Sequence, residues 1–587
     1  MYLPRTWFLR ILVAVLIVLV TGSTSTRVSA QFNWLLKVDP LLQVSLPPSG
    51  RTRVVVRATS AGAVNWLTPL INLLGGNILR TLPIINGLAI DLPNLVLPVV
   101  AASPLVARVS MDRVTAGANE RTGATIGAAA VRQQLGYDGA GVGIAVIDSG
   151  VAPAHDDLGS ASGQRVDQFV DFVDSQTASY DDYGHGSHVA GIIAGNGYDS
   201  GGARSGVAPA AHLIVLKVLD DQGHGRISDV IAALGYAVTN KTALNIKIVN
   251  LSVATGVYES YNSDPLTLAA KNAVSAGIVV VAAAGNSGRG ANGSTQYAGI
   301  TAPGNAPWVL TVGASSHMGT VDRGDDTIAA FSSRGPGAVD YGAKPDIVAP
   351  GVGIESLSDP ASSKYLTASQ YLLNGTVSTS YLPYLSQSGT SMSAPVVTGT
   401  VALMLQANPA LTPNQIKAIL HYTAQADPDY DVLTQGAGFL NAKGAVELAA
   451  YLAAPETTPY PSTTDWSQHI VWGNFVVSGG TLTSSANAWA TNVTWGATTT
   501  PGGQTIVWGL IGGQSWQATN LTENPNAVWG PMCQGANCQV PWNAQAVSAS
   551  DTEGDTVVWG TGDGEGDTVV WGTSCSDPSC QPVVWNP

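Results

Sequence analysis

Residues 141–147, Gly-Val-Gly-Ile-Ala-Val-Ile, are apolar without a break. Residues 213–218, 246–251 and 278–283 are nearly so, interrupted only by Lys217, Lys247 and Asn250. A strand with one face in water alternates apolar and polar positions; a strand covered on both faces does not, so these runs predict buried parallel strands. Between them, residues 227–238 and 266–276 carry apolar positions at helical spacing. Strands alternating with helices give an α/β domain, a mainly parallel sheet with helices on both faces. Residues 396–405 are apolar nearly all round, as a buried core helix requires, and Pro395 suits that helix's first turn. Thr412-Pro413-Asn414-Gln415 reads as a helix start with cap, proline and capping-box glutamine.

The pattern changes on either side of this region. Residues 51–57 read as a strand, 64–75 as an amphipathic helix, 78–85 and 87–92 as strands, 99–105 as a helix and 106–111 as a last strand. That order predicts a small α+β unit over 31–115. A hydrophilic connector, 115–125, leads into the main domain at 120–452. From 455 to 587 the composition shifts to Ser, Thr, Gly, Asn and Trp, with Val-Trp-Gly recurring at 471–473, 507–509 and 528–530. The octapeptide Gly-Asp-Thr-Val-Val-Trp-Gly-Thr stands at 554–561 and again at 566–573. A β-branched pair before Trp suits a short strand and the following Gly a turn, so this tail is expected to be β-rich. Its tryptophans either form the core of a small β-repeat region or present an aromatic surface to a cell surface or polysaccharide. The acidic Gly-Asp turns would in the second case collect calcium.

Composition narrows the class. Charged residues make up 11% of the 587-residue chain and the net charge is −14, which excludes a nucleic-acid partner because no basic cluster is present to meet phosphates. Arg5 and Arg10 precede an apolar run at 11–20, and Val28-Ser29-Ala30 forms a small-residue site. Residues 1–30 therefore read as a secretory signal peptide, and the protein as secreted. The four cysteines all lie in the tail. Cys533 with Cys538 and Cys575 with Cys580 have equal gaps and would meet oxidising conditions, so two local disulfides are expected. A four-cysteine zinc site is the alternative, though its usual knuckle gap is tighter.

Four short motifs carry chemistry. Asp148 ends the run at 141–147, where the carboxyl end of a strand places a site in open α/β sheets. His185 opens Gly184-His185-Gly186-Ser187-His188-Val189-Ala190-Gly191, and His188, a turn deeper, reads as structural. Asn286 follows the strand at 278–283, where its amide can donate to a developing oxyanion. Ser391, in Gly389-Thr390-Ser391-Met392-Ser393-Ala394-Pro395, stands at a helix start, where unpaired N–H groups and the dipole favour negative charge.

In this order and with these flanks, the four motifs resemble the subtilisin-like serine protease family (subtilases), in which Asp precedes His and Ser. Gly206-Val207-Ala208-Pro209 and residues 344–351, Lys-Pro-Asp-Ile-Val-Ala-Pro-Gly, add to the likeness. The resemblance implies a secreted serine endopeptidase acting on protein or peptide substrates, with Asp148, His185 and Ser391 catalytic, Asn286 in the oxyanion hole, and no cofactor for catalysis. It implies substrate pairing as an added strand with Gly223-His224-Gly225 and with Ser252-Val253-Ala254. It makes 31–115 a propeptide that inhibits until cleaved off. It also implies a stabilising calcium at Asp157, closed in by residues 195–202. Ser187 departs from the family's usual Thr. Residues 355–387 form an insertion expected near the active site, where it would restrict or extend substrate binding. No acidic residue follows Asn286 at Ser287 or Gly288, so the first pocket is expected to be apolar or broad.

Overall fold

The computed structural model describes residues 50–111, 118–160, 163–289, 294–457, 459–461 and 463–518, together with 37, 38, 42, 556 and 557. Residues 1–30, read above as a signal peptide, the four cysteines with their expected disulfides, and most of the second half of the tail lie outside the described residues. The chain divides into two compact units after Thr115.

In the first unit, β1 (Arg51–Ala58), β2 (Asn77–Leu82), β3 (Gly87–Pro93) and β4 (Val106–Met111) form one antiparallel sheet in the order β2-β3-β1-β4. Two helices, α1 (Ala61–Leu73) and α2 (Leu97–Ala102), connect them. Val54, Val56 and Ala58 point to one face of β1 and bury against Leu67, Ile71 and Val100, so the unit has a core of its own. The strand expected at residues 51–57 is this one, covered on one face.

The second unit opens with α3 (Ala118–Thr125), where sequence predicted only a hydrophilic connector. Arg121, Thr122 and Thr125 are buried there, so polarity marked a packed helix rather than an exposed link. The main sheet runs β11-β10-β9-β8-β5-β7-β6, comprising β5 (Gly143–Asp148), β6 (Val166–Asp171), β7 (His212–Lys217), β8 (Ile246–Leu251), β9 (Val279–Ala283), β10 (Leu310–Ser316) and β11 (Thr327–Ile328). A further strand, β12 (Ile347–Pro350), also pairs with β10, and only β11 runs antiparallel. It is a mixed sheet with helices on both faces. Ile144, Val146, Leu213 and Val215 belong to the core on one face, Ala145, Ile147, Ile214 and Leu216 to the core on the other. That period of two explains why each strand had to be apolar throughout.

On the first face lie α4 (His185–Ala194) and, further on, α8 (Thr390–Ala407); on the second lie α5 (Ile227–Asn240) and α6 (Pro265–Ser275). The insertion at 355–387 folds on itself. β13 (Ile354–Leu357), β14 (Leu372–Leu373) and β15 (Tyr384–Gln387) make a three-stranded sheet in the order β13-β15-β14, with a short helix α7 (Ser363–Thr367) between. Thr412 caps α9 (Pro413–Thr423), its hydroxyl accepting from the Gln415 N–H.

The described part of the tail joins this same core. Trp466, Trp472, Trp489, Trp495, Trp508 and Trp516 are buried and belong to the cluster that holds Ile144 and Val397. Trp472 packs on Trp495 and Trp508, and Trp508 on Trp516, with ring centroids 4.5, 5.7 and 5.6 Å apart. Among the described residues these indoles are core, not an open aromatic surface.

Candidate active site

Asp148 is the last residue of β5, its side chain fully buried. Its Oδ1 lies 2.7 Å from His185 Nδ1 and accepts the Ser149 N–H at 2.8 Å. A carboxylate only accepts, so Nδ1 carries the proton and Nε2 keeps the lone pair. The turn before α4 holds the imidazole in place. Gly184 has φ of 95°, and a Cβ there would stand 2.4 Å from Ser362 Oγ; one on Gly186 would stand 2.2 Å from the Gly150 carbonyl. Both must be glycine for the helix to approach so closely. Asp181 organises the helix start, accepting the N–H groups of Gly184 and Ser187 and the hydroxyls of Ser187 and Ser149. Ser187 Oγ also accepts from the Ala152 N–H, so the serine in place of threonine still makes the hydroxyl's contacts. His188 is buried and placed to donate from Nε2 to Ile354 and Leu385 carbonyls. Burial pushes its pKa down to about 3, which keeps it neutral and structural.

Ser391 is the second residue of α8, whose first sixteen residues are all buried. Its Oγ faces the Ser252 carbonyl at 3.4 Å. Pro395 is not in the first turn, as the sequence led us to expect, but sits inside the helix. A proline there has no N–H for the carbonyl four residues back, which is that of Ser391. That carbonyl instead accepts from Ser252 Oγ at 3.0 Å. Ser252 Oγ accepts from Asn250 Nδ2, and Asn250 Oδ1 from Thr398 Oγ1. A buried polar chain thus ties the end of β8 to the turn that carries Ser391.

Asn286 lies three residues past β9, half buried. Its Oδ1 accepts both the N–H and the hydroxyl of Thr390, each at 3.0 Å. The Thr390 N–H can only donate, which fixes the amide's orientation and leaves Nδ2 directed away from Thr390.

The structure brings Asp148 and His185 into contact, places Asn286 one residue from Ser391 through Thr390, and sets Ser252 against Ser391. Val253 is buried, Ala254 half buried. Gly223, with φ of 79°, packs so that a Cβ would lie 2.4 Å from the Tyr183 ring. The edge at Gly225 and Arg226 pairs antiparallel with Val557 and Thr556.

Sequence reasoning missed a second layer. Lys217 reaches the carbonyls of Ser149 and Leu219 and the Asp182 carboxylate, at 2.7, 2.7 and 2.6 Å. The start of α7 docks behind His185: Ser363 and Lys364 donate main-chain N–H groups to the Asp182 and Tyr183 carbonyls. The Lys364 ammonium lies 4.9 Å over the Tyr183 ring, and that ring stacks on the His185 imidazole with centroids 6.3 Å apart. Burial pushes Lys364 down to about 7 against the opposing pull of Asp148 and Asp181. The available signal was a lone lysine in a stretch, 356–387, whose only other charge is Asp359.

Asp157 lies in a buried group with His155 and Asp199, one ligand atom from each falling within 4.8 Å of the others. Calcium takes six to eight oxygens, and the residues do not fit it. Asp157 accepts from the Asp199 N–H through Oδ1 and from the Tyr384 hydroxyl through Oδ2. The carbonyls of Gly195, Gly197, Tyr198, Asp199, Ser200 and Gly202 all accept main-chain N–H groups, those of residues 195–206 and of Thr376 and Val377. A histidine nitrogen takes part as well. The carbonyls of 195–202 are engaged in main-chain hydrogen bonds and one member of the group offers nitrogen, so a calcium cage at Asp157 is not shown here.

A family model described as "Subtilase family" matches residues 139–445. The chain is 40% identical over 322 residues to Serine protease AprX of Bacillus subtilis (strain 168), covering 54% of this chain and 68% of that one. It is 34% identical over 359 residues to Subtilisin NAT of Bacillus subtilis subsp. natto, covering 60% and 78%. A crystal structure of a cold adapted subtilisin-like serine proteinase matches 52% of this chain and 90% of its own, with 29% identity and a TM-score of 0.39.

Proposed function

Because the chain belongs to the subtilase family and is a serine endopeptidase, we propose that Asp148, His185 and Ser391 are its catalytic residues and that Asn286 and the Ser391 N–H form the oxyanion hole. The buried 2.7 Å contact between Asp148 and His185 carries this reading. It sets the tautomer a general base needs, with Nε2 as the acceptor. The Ser391 hydroxyl turns from the Ser252 carbonyl to that nitrogen and gives up its proton as Oγ attacks the substrate carbonyl carbon. The resulting oxyanion takes the Asn286 Nδ2–H, whose other end Thr390 holds still. Imidazolium then protonates the leaving nitrogen, the C–N bond breaks, and water hydrolyses the ester by the same base. Substrate main chain adds to the edge at Gly223–Gly225 and lies beside Ser252–Ala254; that Gly225 and Arg226 pair with Val557 and Thr556 supports an edge able to take an added strand, one that residues 556–557 occupy here.

The protein is secreted behind residues 1–30 and made as a zymogen, with the separate α+β unit as the inhibitor released on maturation. The independent core of that unit supports this reading.

The test is expression of residues 31–587 with casein and a peptide amide as substrates. Ser391→Ala should lower kcat by about 10⁶-fold, Asp148→Asn by about 10⁴ and Asn286→Ala by about 10²–10³. Ser391→Ala should also retain the first unit that wild type releases. A wild-type chain that matures but cleaves neither substrate would overturn the endopeptidase reading.

A further inference from the structure

Asp199 is fully buried, and neither oxygen of its carboxylate accepts a hydrogen bond. An ionised group cannot stay so placed without a counter-ion. Its neighbour Asp157 is also a fully buried carboxylate, and the third member of the group, His155, faces them. His155 Nδ1 is 3.9 Å from Asp199 Oδ2. His155 Nε2 lies 3.0 Å from the Pro383 carbonyl; a carbonyl only accepts, so Nε2 bears the hydrogen and Nδ1 presents its lone pair to the group. In this structure the Asp157 N–H, 3.2 Å away, donates to that one lone pair, a long contact that a bound ion would replace. An imidazole steadied through its far nitrogen, beside a carboxylate steadied by the Tyr384 hydroxyl, is how metal ligands are oriented by their surroundings.

We infer that His155, Asp157 and Asp199 form a binding site for a transition-metal dication of the zinc class. One imidazole nitrogen and two carboxylates are the donors such ions prefer, whereas calcium needs an oxygen cage that residues 195–202 do not offer. Arg165 stands on the Asp157 side, its guanidinium donating to the Asp157 carbonyl; the ion supplies the positive charge that Asp199 lacks. Its role is structural and concerns the insertion. The Asp199 carbonyl accepts from Thr376 and Val377, Asp157 from Tyr384, and His155 reaches Pro383. β15 then runs from Tyr384 to Gln387, directly before Gly389 and Ser391. The metal fastens the returning arm of the insertion to the turn at 155–157 and the loop at 195–202. This inference does not rest on the proteolytic reading.

The experiment uses the full-length Ser391→Ala protein, which cannot digest itself. After chelator treatment it is titrated by calorimetry with ZnCl₂ and with CaCl₂, and with CoCl₂ followed by visible absorption. One equivalent of zinc should bind at least 100-fold more tightly than calcium, and cobalt should give the d–d bands of a nitrogen-containing site. His155→Gln and Asp199→Asn should each weaken zinc binding by about 100-fold or more, and Tyr384→Phe, which removes only a supporting hydroxyl, by about 10-fold. Tyr384→Phe and the cobalt spectrum still decide the matter should either ligand variant fail to fold. Absence of zinc binding, calcium binding more tightly than zinc, or zinc binding indifferent to these substitutions would each overturn the site.

Discussion

Two buried groups of charge in the second unit are built on opposite terms. Around Asp346 the account closes: Oδ2 meets Lys344 Nζ at 2.8 Å and the Thr311 N–H at 2.7 Å, Oδ1 meets Lys417 Nζ at 2.9 Å, and His421 Nε2 is 3.8 Å away. Burial alone would raise this carboxyl, but Lys344 and Lys417 outweigh it and hold the pKa at about 2. Around Asp199 the account stays open. Burial first, and the Asp157 charge second, push its carboxyl up, with only an imidazole at 3.9 Å opposing. The first group needs nothing beyond the chain. The second has a buried guanidinium, Arg165, on the Asp157 side, but it leaves Asp199 facing only an imidazole, which is the pattern of a site rather than of a strut.

The largest effect should come from breaking the closed group. Asp346→Asn leaves two buried ammonium groups without their counter-charge, and the loss should be about 3–5 kcal/mol. Urea unfolding in the Ser391→Ala background reads it; a loss below about 1 kcal/mol would mean that the lysines are not held by this carboxylate. Next comes the lid on the group. Trp495 lies 4.7 Å over Lys417, packs edge-on against His421 at 5.4 Å, and donates its indole N–H to the Val471 carbonyl. Trp495→Ala should cost about 3 kcal/mol, and unfolding of the variant should remain a single transition, because the tail shares the main core.

A smaller effect is expected from pH. Burial pushes Lys417 down to about 7 from an ordinary 10.5. Between these values the unfolded chain binds more protons than the folded one, so this group makes stability rise with pH across that window. The slope is bounded by about 1.4 kcal/mol per pH unit. Asp346 works in the opposite range, its stabilisation complete above 3.8 and lost as pH falls through about 2. Lys417→Met should flatten the rise between pH 7 and 9. An unchanged slope in the variant would assign the rise to other groups.

The two groups also differ in what the sequence revealed. Lys344-Pro345-Asp346 stood in a recognisable motif. Asp148, His185, Asn286 and Ser391 were legible too: each follows or opens an element whose pattern is strong. The contacts that complete the sites come from far along the chain. Lys417 and Trp495 close on Asp346 from 71 and 149 positions away, and Asp199 meets Asp157 only because α4 returns the chain beside the 155–157 turn. Recurring Val-Trp-Gly gave strands and turns but could not say which surface the indoles cover. Pro395 misled because its place depends on where α8 begins, and that is set by Gly389 and Asn286 rather than by the proline.

The smallest effect separates the open group from the closed one by sign. With metal stripped by chelator, Asp199→Asn removes one of two adjacent buried negative charges while keeping nearly the same shape. The carboxyl it replaces has its pKa raised in the folded state, so the wild-type group loses stabilising power as pH climbs above 3.8. At neutral pH the asparagine variant should therefore be more stable than its parent. With zinc present the order should reverse, because the variant has lost a ligand and the parent gains binding energy on folding. The matching substitution at Asp346 has no such reversal: it is destabilising with or without metal. Chemical unfolding of both variants, each with chelator and with zinc, gives four differences. A destabilised metal-free Asp199→Asn protein would show that Asp199 is held by the chain itself, and would erase the contrast between the two groups.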